Sequence, residues 1–128
     1  MLSRGLLSGH LPPAGNKGDL RLARMPRFQQ GNVERNLGLV EALRQIGAEK
    51  GASPAQLALA WVRSRGDDIL PVMGARKREQ LKESLAALDL KLTADDLGRI
   101  DAAVSPELTA GTRYDARQMA HLDSEAHG

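Results

Sequence analysis

The sequence predicts an α/β chain that is mostly helical and whose core is incomplete. Helical periodicity recurs in four segments, whereas Ile69-Leu70-Pro71-Val72-Met73 is the one credible strand, with a remnant of another at residues 1–3. A lone buried strand cannot satisfy its own backbone N–H and C=O groups, so it calls for neighbours that this sequence does not supply. The 128 residues also carry only three rings, Phe28, Trp61 and Tyr114, fewer than a complete small core normally draws on.

The length is that of one domain or part of one. With 41% hydrophobic and 27% charged residues, the composition is that of a globular protein and not of a disordered tail. Eighteen basic and 16 acidic side chains leave a net charge of +2, spread along the chain, so no field implies nucleic acid or membrane as a partner. The absence of cysteine excludes disulfides and thiolate metal sites. No apolar run approaches a membrane span or a signal peptide, and the expected location is cytoplasmic.

In chain order, residues 9–31 read as a long loop, rich in Gly and Pro at Gly9, Pro12, Pro13, Gly15 and Gly18 and continuing past Pro26. A loop of that length is either functional or disordered. Asn32 offers an N-cap, and Val33, Leu37, Val40, Leu43 and Ile46 recur on one face of a helix running to Lys50. Gly51 stops it. Ser53-Pro54-Ala55-Gln56 then opens a second helix with a capping box and a proline at the first helical position. Its continuation through Leu57 to Val62 is apolar nearly all round, which predicts packing on most sides. The strand at 69–73 follows, ending at Gly74, although Pro71 lacks a ladder donor and argues against a central position. A helix over Arg78–Ala87 and another capped by Thr93 and running to Val104 complete residues 32–104, and the tail, 105–128, reads as irregular.

Two places could hold chemistry. Met73 to Gln80 couples a strand end, Gly74 and a helix start with consecutive cations at Arg76, Lys77 and Arg78. Helix N-termini favour anions and cationic side chains add charge-assisted hydrogen bonds, so the junction reads as a phosphate site, against the plainer alternative of a solvated basic helix start. At the N-terminus, Leu2-Ser3-Arg4-Gly5 would let backbone approach a ligand, the alternative being an ordinary flexible terminus. His10, His121 and His127 lie in loop or tail without partners at metal or triad spacing. The pairs Asp67-Asp68 and Asp95-Asp96 sit at element boundaries, where capping explains them.

Several of these segments resemble, in order, the motifs of the aldo-keto reductase family. Leu2-Ser3-Arg4-Gly5-Leu6-Leu7-Ser8-Gly9 is similar to the family's exit from the seventh barrel strand, with Met1 where a Pro usually stands. Pro26-Arg27-Phe28 with Asn32 and Asn36-Leu37 resembles its Arg-Phe motif and the helix that follows. Ser53 to Val62 resembles its most recognisable helix, Ile69 to Arg76 its eighth strand, Gln80-Leu81-Lys82-Glu83-Ser84 the Gln-Leu-x-Glu-Asn after it, and Gly111-x-Arg113-Tyr114 the tail of one bacterial branch.

The resemblance implies the C-terminal part of a (β/α)8 TIM barrel, from the end of the seventh strand onward, with residues 1–8 as the strand-seven exit. It implies NADP(H) as cofactor and aldehyde or ketone reduction as activity. Gly74, Ala75, Arg76, Gln80, Glu83 and Ser84 would hold the adenosine end with its 2′-phosphate, and Leu2, Ser3, Arg4 and Gly5 the pyrophosphate. Ala75 replaces a common Ser or Thr, and Ser84 a common Asn, which removes a hydroxyl and an amide contact. The Tyr, Lys, Asp and His used in catalysis belong to earlier strands, and Tyr114, in the tail, is not assigned their role. The chain is therefore expected to be inactive, and prone to self-association, unless the rest of the barrel is supplied. The alternative is a non-catalytic nucleotide-binding or interaction fragment from a truncated gene.

Overall fold

An 18-residue helix, α1 (Asn32–Glu49), is the spine against which most of the other elements pack. In this computed structural model the described residues are 3–8 and 24–122. They form α2 (Pro54–Arg63), α3 (Arg78–Ala86), α4 (Ala94–Ala103) and a single turn, α5 (Ala116–Met119), together with 3-10 helices at Ser3–Ser8, Pro26–Phe28 and Pro106–Leu108.

α1 starts one residue earlier than its sequence suggests. Gly31 is the N-cap, at φ 86, a conformation that glycine adopts without Cβ strain. The Glu34 carboxylate accepts from the Gly31 N–H. Asn32 lies inside the helix and its Nδ2 donates to the carbonyl of Pro26 at 2.9 Å. The buried face is also rotated from the predicted one. Asn36, Val40, Leu43, Ile46 and Gly47 point inward, while Leu37 is 42% exposed. Asn36 occupies the inward position because backbone groups there require a partner. Its Nδ2 donates to the carbonyls of Arg27, at 3.0 Å, and Ala110, at 2.8 Å, and its Oδ1 accepts from the Ala110 N–H at 2.9 Å.

Around α1 lie two apolar clusters. Leu43, Ile46, Leu57 and Ile100 join α1, α2 and α4, and Leu6, Phe28 and Val40 join α1 to the first two 3-10 helices. Leu7 packs against both. The capping box of α2 forms as predicted: Ser53 Oγ accepts from the Gln56 N–H at 3.3 Å, and Gln56 Oε1 accepts from the Ser53 N–H at 2.8 Å. α4 begins on the same device, with Thr93 and Asp96. Asp96, buried, also pairs with Lys50 Nζ at 2.7 Å, and Arg99 grips Glu49 through two 2.7 Å contacts, so the end of α1 is held against α4.

Three expectations are corrected. The predicted strand at 69–73 is not a strand: no strand occurs among the described residues. The segment pairs with no other among the described residues, and Leu70 and Val72 stand 86% and 87% exposed. The strand remnant at 1–3 begins outside the described residues, and Ser3 opens a 3-10 helix. The described part of the tail, 105–122, is more ordered than its polarity suggests: Asp115 caps α5, and Gly111, at φ 80, lies so near Pro26 that an added Cβ would meet its carbonyl at 2.7 Å. α2 is packed on most sides up to Arg63, as predicted: Pro54, Ala55, Leu57, Leu59 and Ala60 are buried, while Ala58, Trp61 and Val62 line a cleft.

Candidate functional site

The basic junction forms where the extended segment turns into α3. Lys77, in extended backbone, is the N-cap residue, and its side chain makes no cap hydrogen bond. The capping task falls to Gln80, whose Oε1 accepts from the Arg76 N–H at 2.9 Å and the Lys77 N–H at 3.2 Å. Two backbone donors at the helix start are thus engaged by a side chain that the sequence had marked for the cofactor. Arg76, Lys77 and Arg78 are all exposed, at the positive end of the helix dipole. A Cβ placed on Gly74 would meet nothing within 4 Å, so that backbone is open to close approach. Three cations at a helix start, beside an open glycine, are a donor set that fits a phosphate dianion.

Of the expected site residues, the structure brings Arg76 and Gln80 into contact and leaves Gly74 and Ala75 exposed beside them. Glu83 and Ser84 lie further along α3, half-buried. Glu83 faces α2: its Oε1 accepts from Ser53 Oγ at 2.6 Å, and its carbonyl accepts from Gln56 Nε2 at 3.0 Å. Of the N-terminal group, Leu2 lies outside the described residues, and Ser3, Arg4 and Gly5 belong to the 3-10 helix, Gly5 at φ 94. That 3-10 helix packs against α1 and α2, and α3 packs against α2. α2 is therefore the element that both expected cofactor segments share.

A cleft of about 680 Å³ opens between α1, α2 and α4, lined by Leu39, Val40, Leu43, Trp61, Val62 and Val104 among others. Its lining is mostly apolar, with Arg27, Asn36 and Arg65 among its polar groups. At the mouth, Trp61 Nε1 donates to Asp101 Oδ1 at 2.7 Å, and Arg65 pairs with the same carboxylate while lying 4.1 Å from the Trp61 ring centroid. Hydrogen bonds from Arg65 and then Trp61 hold the Asp101 carboxyl below its usual range.

Two features were not read from the sequence: the Asn36 clamp and the Ser53–Glu83 tether. Asn36 could have been noticed as a polar residue on the face of Val40 and Leu43. Nothing local marks the tether. No group of three or more His, Asp or Glu side chains among the described residues could hold a metal ion, and no helix there is long and apolar enough to cross a membrane.

A sequence profile of the Aldo/keto reductase family matches residues 1–105. "Probable aldo-keto reductase 1" of Glycine max is 36% identical over 113 residues, which are 88% of this chain and 33% of that protein. The chain thus spans about a third of the length of the curated relative it matches.

Proposed function

This chain belongs to the aldo/keto reductase family, and from that premise we propose that its junction at Gly74–Ser84 is the adenosine 2′-phosphate end of an NADP(H) site serving aldehyde or ketone reduction. The observation that supports this reading is the run of exposed cations, Arg76, Lys77 and Arg78, at the N-terminus of α3.

When bound, the cofactor supplies the electron pair that reduces a carbonyl. The residues of this chain bind and orient it. Arg76 can approach the 2′-phosphate with a planar guanidinium, giving paired charge-assisted hydrogen bonds, and Lys77 and Arg78 add positive charge. Gln80, by capping the Arg76 and Lys77 amides, fixes the backbone from which those side chains extend. In the same reading Gly5, at the strand-seven exit, lets backbone approach the pyrophosphate together with Leu2, Ser3 and Arg4. The reading assigns this chain binding and not proton transfer. Tyr114, its single tyrosine, is half-buried on the segment after α4, and its carbonyl accepts from Thr112 Oγ1 at 2.8 Å.

Titration with 2′,5′-ADP and with 5′-ADP tests the reading. The first should bind at least about tenfold more tightly, since a phosphate gripped by charge-assisted hydrogen bonds contributes 1.4 kcal/mol or more. Arg76→Ala should remove most of that difference. Equal binding of the two ligands would overturn the assignment.

A further inference from the structure

α3 buries none of its residues, and Leu81 and Leu85 stand 45% and 49% exposed. Apolar burial thus holds the helix only at its C-cap, Ala87, which is 1% exposed. Ahead of it two hydrogen bonds tie the helix to α2, from Ser53 Oγ to Glu83 Oε1 at 2.6 Å and from Gln56 Nε2 to the Glu83 carbonyl at 3.0 Å. The donors are the two side chains of the capping box that starts α2. Each works in both directions: Ser53 Oγ accepts from Gln56 N and donates to Glu83, and Gln56 accepts from Ser53 N through Oε1 and donates through Nε2. Glu83 lies three residues after Gln80, about 4.5 Å along the axis on a neighbouring face, so a shift of the helix at Glu83 is carried to the Gln80 cap and to the cations it orders.

We propose that Ser53 and Gln56 are positioning residues for the phosphate site, setting its 2′-phosphate affinity through Glu83 although neither belongs to the basic junction. The inference rests on the cofactor reading above and assigns Glu83 a bridging role within it.

Substitutions can separate the tether from the cap. Gln56→Glu retains the acceptor that the capping box needs, but it removes the Nε2 donor and sets a second carboxylate beside Glu83. Ser53→Asp retains a good N-cap and removes the hydroxyl donor, whereas Ser53→Thr keeps both functions. The full chain is assayed by amide hydrogen exchange without ligand and by titration with 2′,5′-ADP and 5′-ADP. Gln56→Glu and Ser53→Asp should speed exchange at Leu81–Ser84 about tenfold, leave the α1 amides protected, and weaken 2′,5′-ADP at least fivefold with 5′-ADP little changed. Ser53→Thr should match the unsubstituted chain in both assays. If the unsubstituted chain shows no preference for 2′,5′-ADP, the cofactor reading falls and this inference with it. If it shows the preference and both tether variants keep it in full, or if exchange at Leu81–Ser84 does not change, only the inference falls.

Discussion

Leu57 and Leu81 are both leucines on helices that pack against each other, yet one is 0% and the other 45% exposed. The difference divides the molecule. The body, built from α1, α2, α4 and the 3-10 helices around them, holds the apolar clusters, the Asn36 clamp and the Asp96–Lys50 pair. The arm, residues 69–86, holds the cations and has no buried side chain. The buried apolar side chains and the exposed cation run thus sit in different parts of the chain, and the arm is joined to the body by polar contacts such as those at Glu83. Substitutions in the body's apolar clusters should register as stability, and those of the arm's cations as binding.

The largest effect should come from Leu57→Ala. Removing a fully buried leucine side chain at the contact of α1, α2 and α4 leaves a cavity and should cost about 3 kcal/mol in denaturant unfolding. Leu81→Ala, on the arm, should cost less than about 1 kcal/mol. Equal losses would erase the division between the two regions. Next comes Asn36→Ala, expected to cost about 2 kcal/mol, because the Ala110 N–H and the carbonyls of Arg27 and Ala110 lose buried partners. Its distinctive sign is faster exchange of the Ala110 amide. An unchanged rate there would show that the tail does not depend on the clamp.

What could be read from the sequence follows the range of each interaction. The capping box of α2 was legible because Ser53 and Gln56 are three residues apart and their roles are set by local chemistry. The basic junction was legible as charge for the same reason. Asn36 was not, since one of its partners lies 74 residues away, and a polar residue in a helix gives no sign of what it will meet. Glu83 was marked as a cofactor contact, but its tie to Ser53 spans 30 residues and depends on how two helices dock. The strand failed in another way. Its apolar pattern was real, but pairing is a property of two segments, and among the described residues no second one lies beside it.

A smaller effect concerns pH and again belongs to the body. Hydrogen bonds from Lys50 first, and then from the backbone and side chain of Thr93, pull the Asp96 carboxyl from an ordinary 3.8 to about 2. Because its folded value lies below its unfolded one, the ionised group stabilises the fold above about pH 4, and the contribution fades as pH falls toward about 2. The denaturation midpoint should therefore drop between about pH 5 and about pH 2.5. Asp96→Asn should shrink that drop, although Glu49 and Asp101, lowered by Arg99 and Arg65, retain part of it. A drop of unchanged size would show that this pair does not hold α4 to α1.

The smallest effect belongs to the arm. Along 69–73 exposure alternates: Ile69, Pro71 and Met73 are half-buried, and Leu70 and Val72 face water almost completely. This is the period of a strand with one face turned to the body and nothing on the other. Apolar side chains that remain in water contribute no burial, so Leu70→Ser and Val72→Ser should each change unfolding free energy by less than about 0.5 kcal/mol. Ile69→Ser, on the inward face of the same segment, should cost more than either. If Val72→Ser instead destabilised the chain by more than about 1 kcal/mol, the outward face would have to be packed in solution. Residues 69–73 would then belong to the body, and the boundary between the two regions would move to the start of α3.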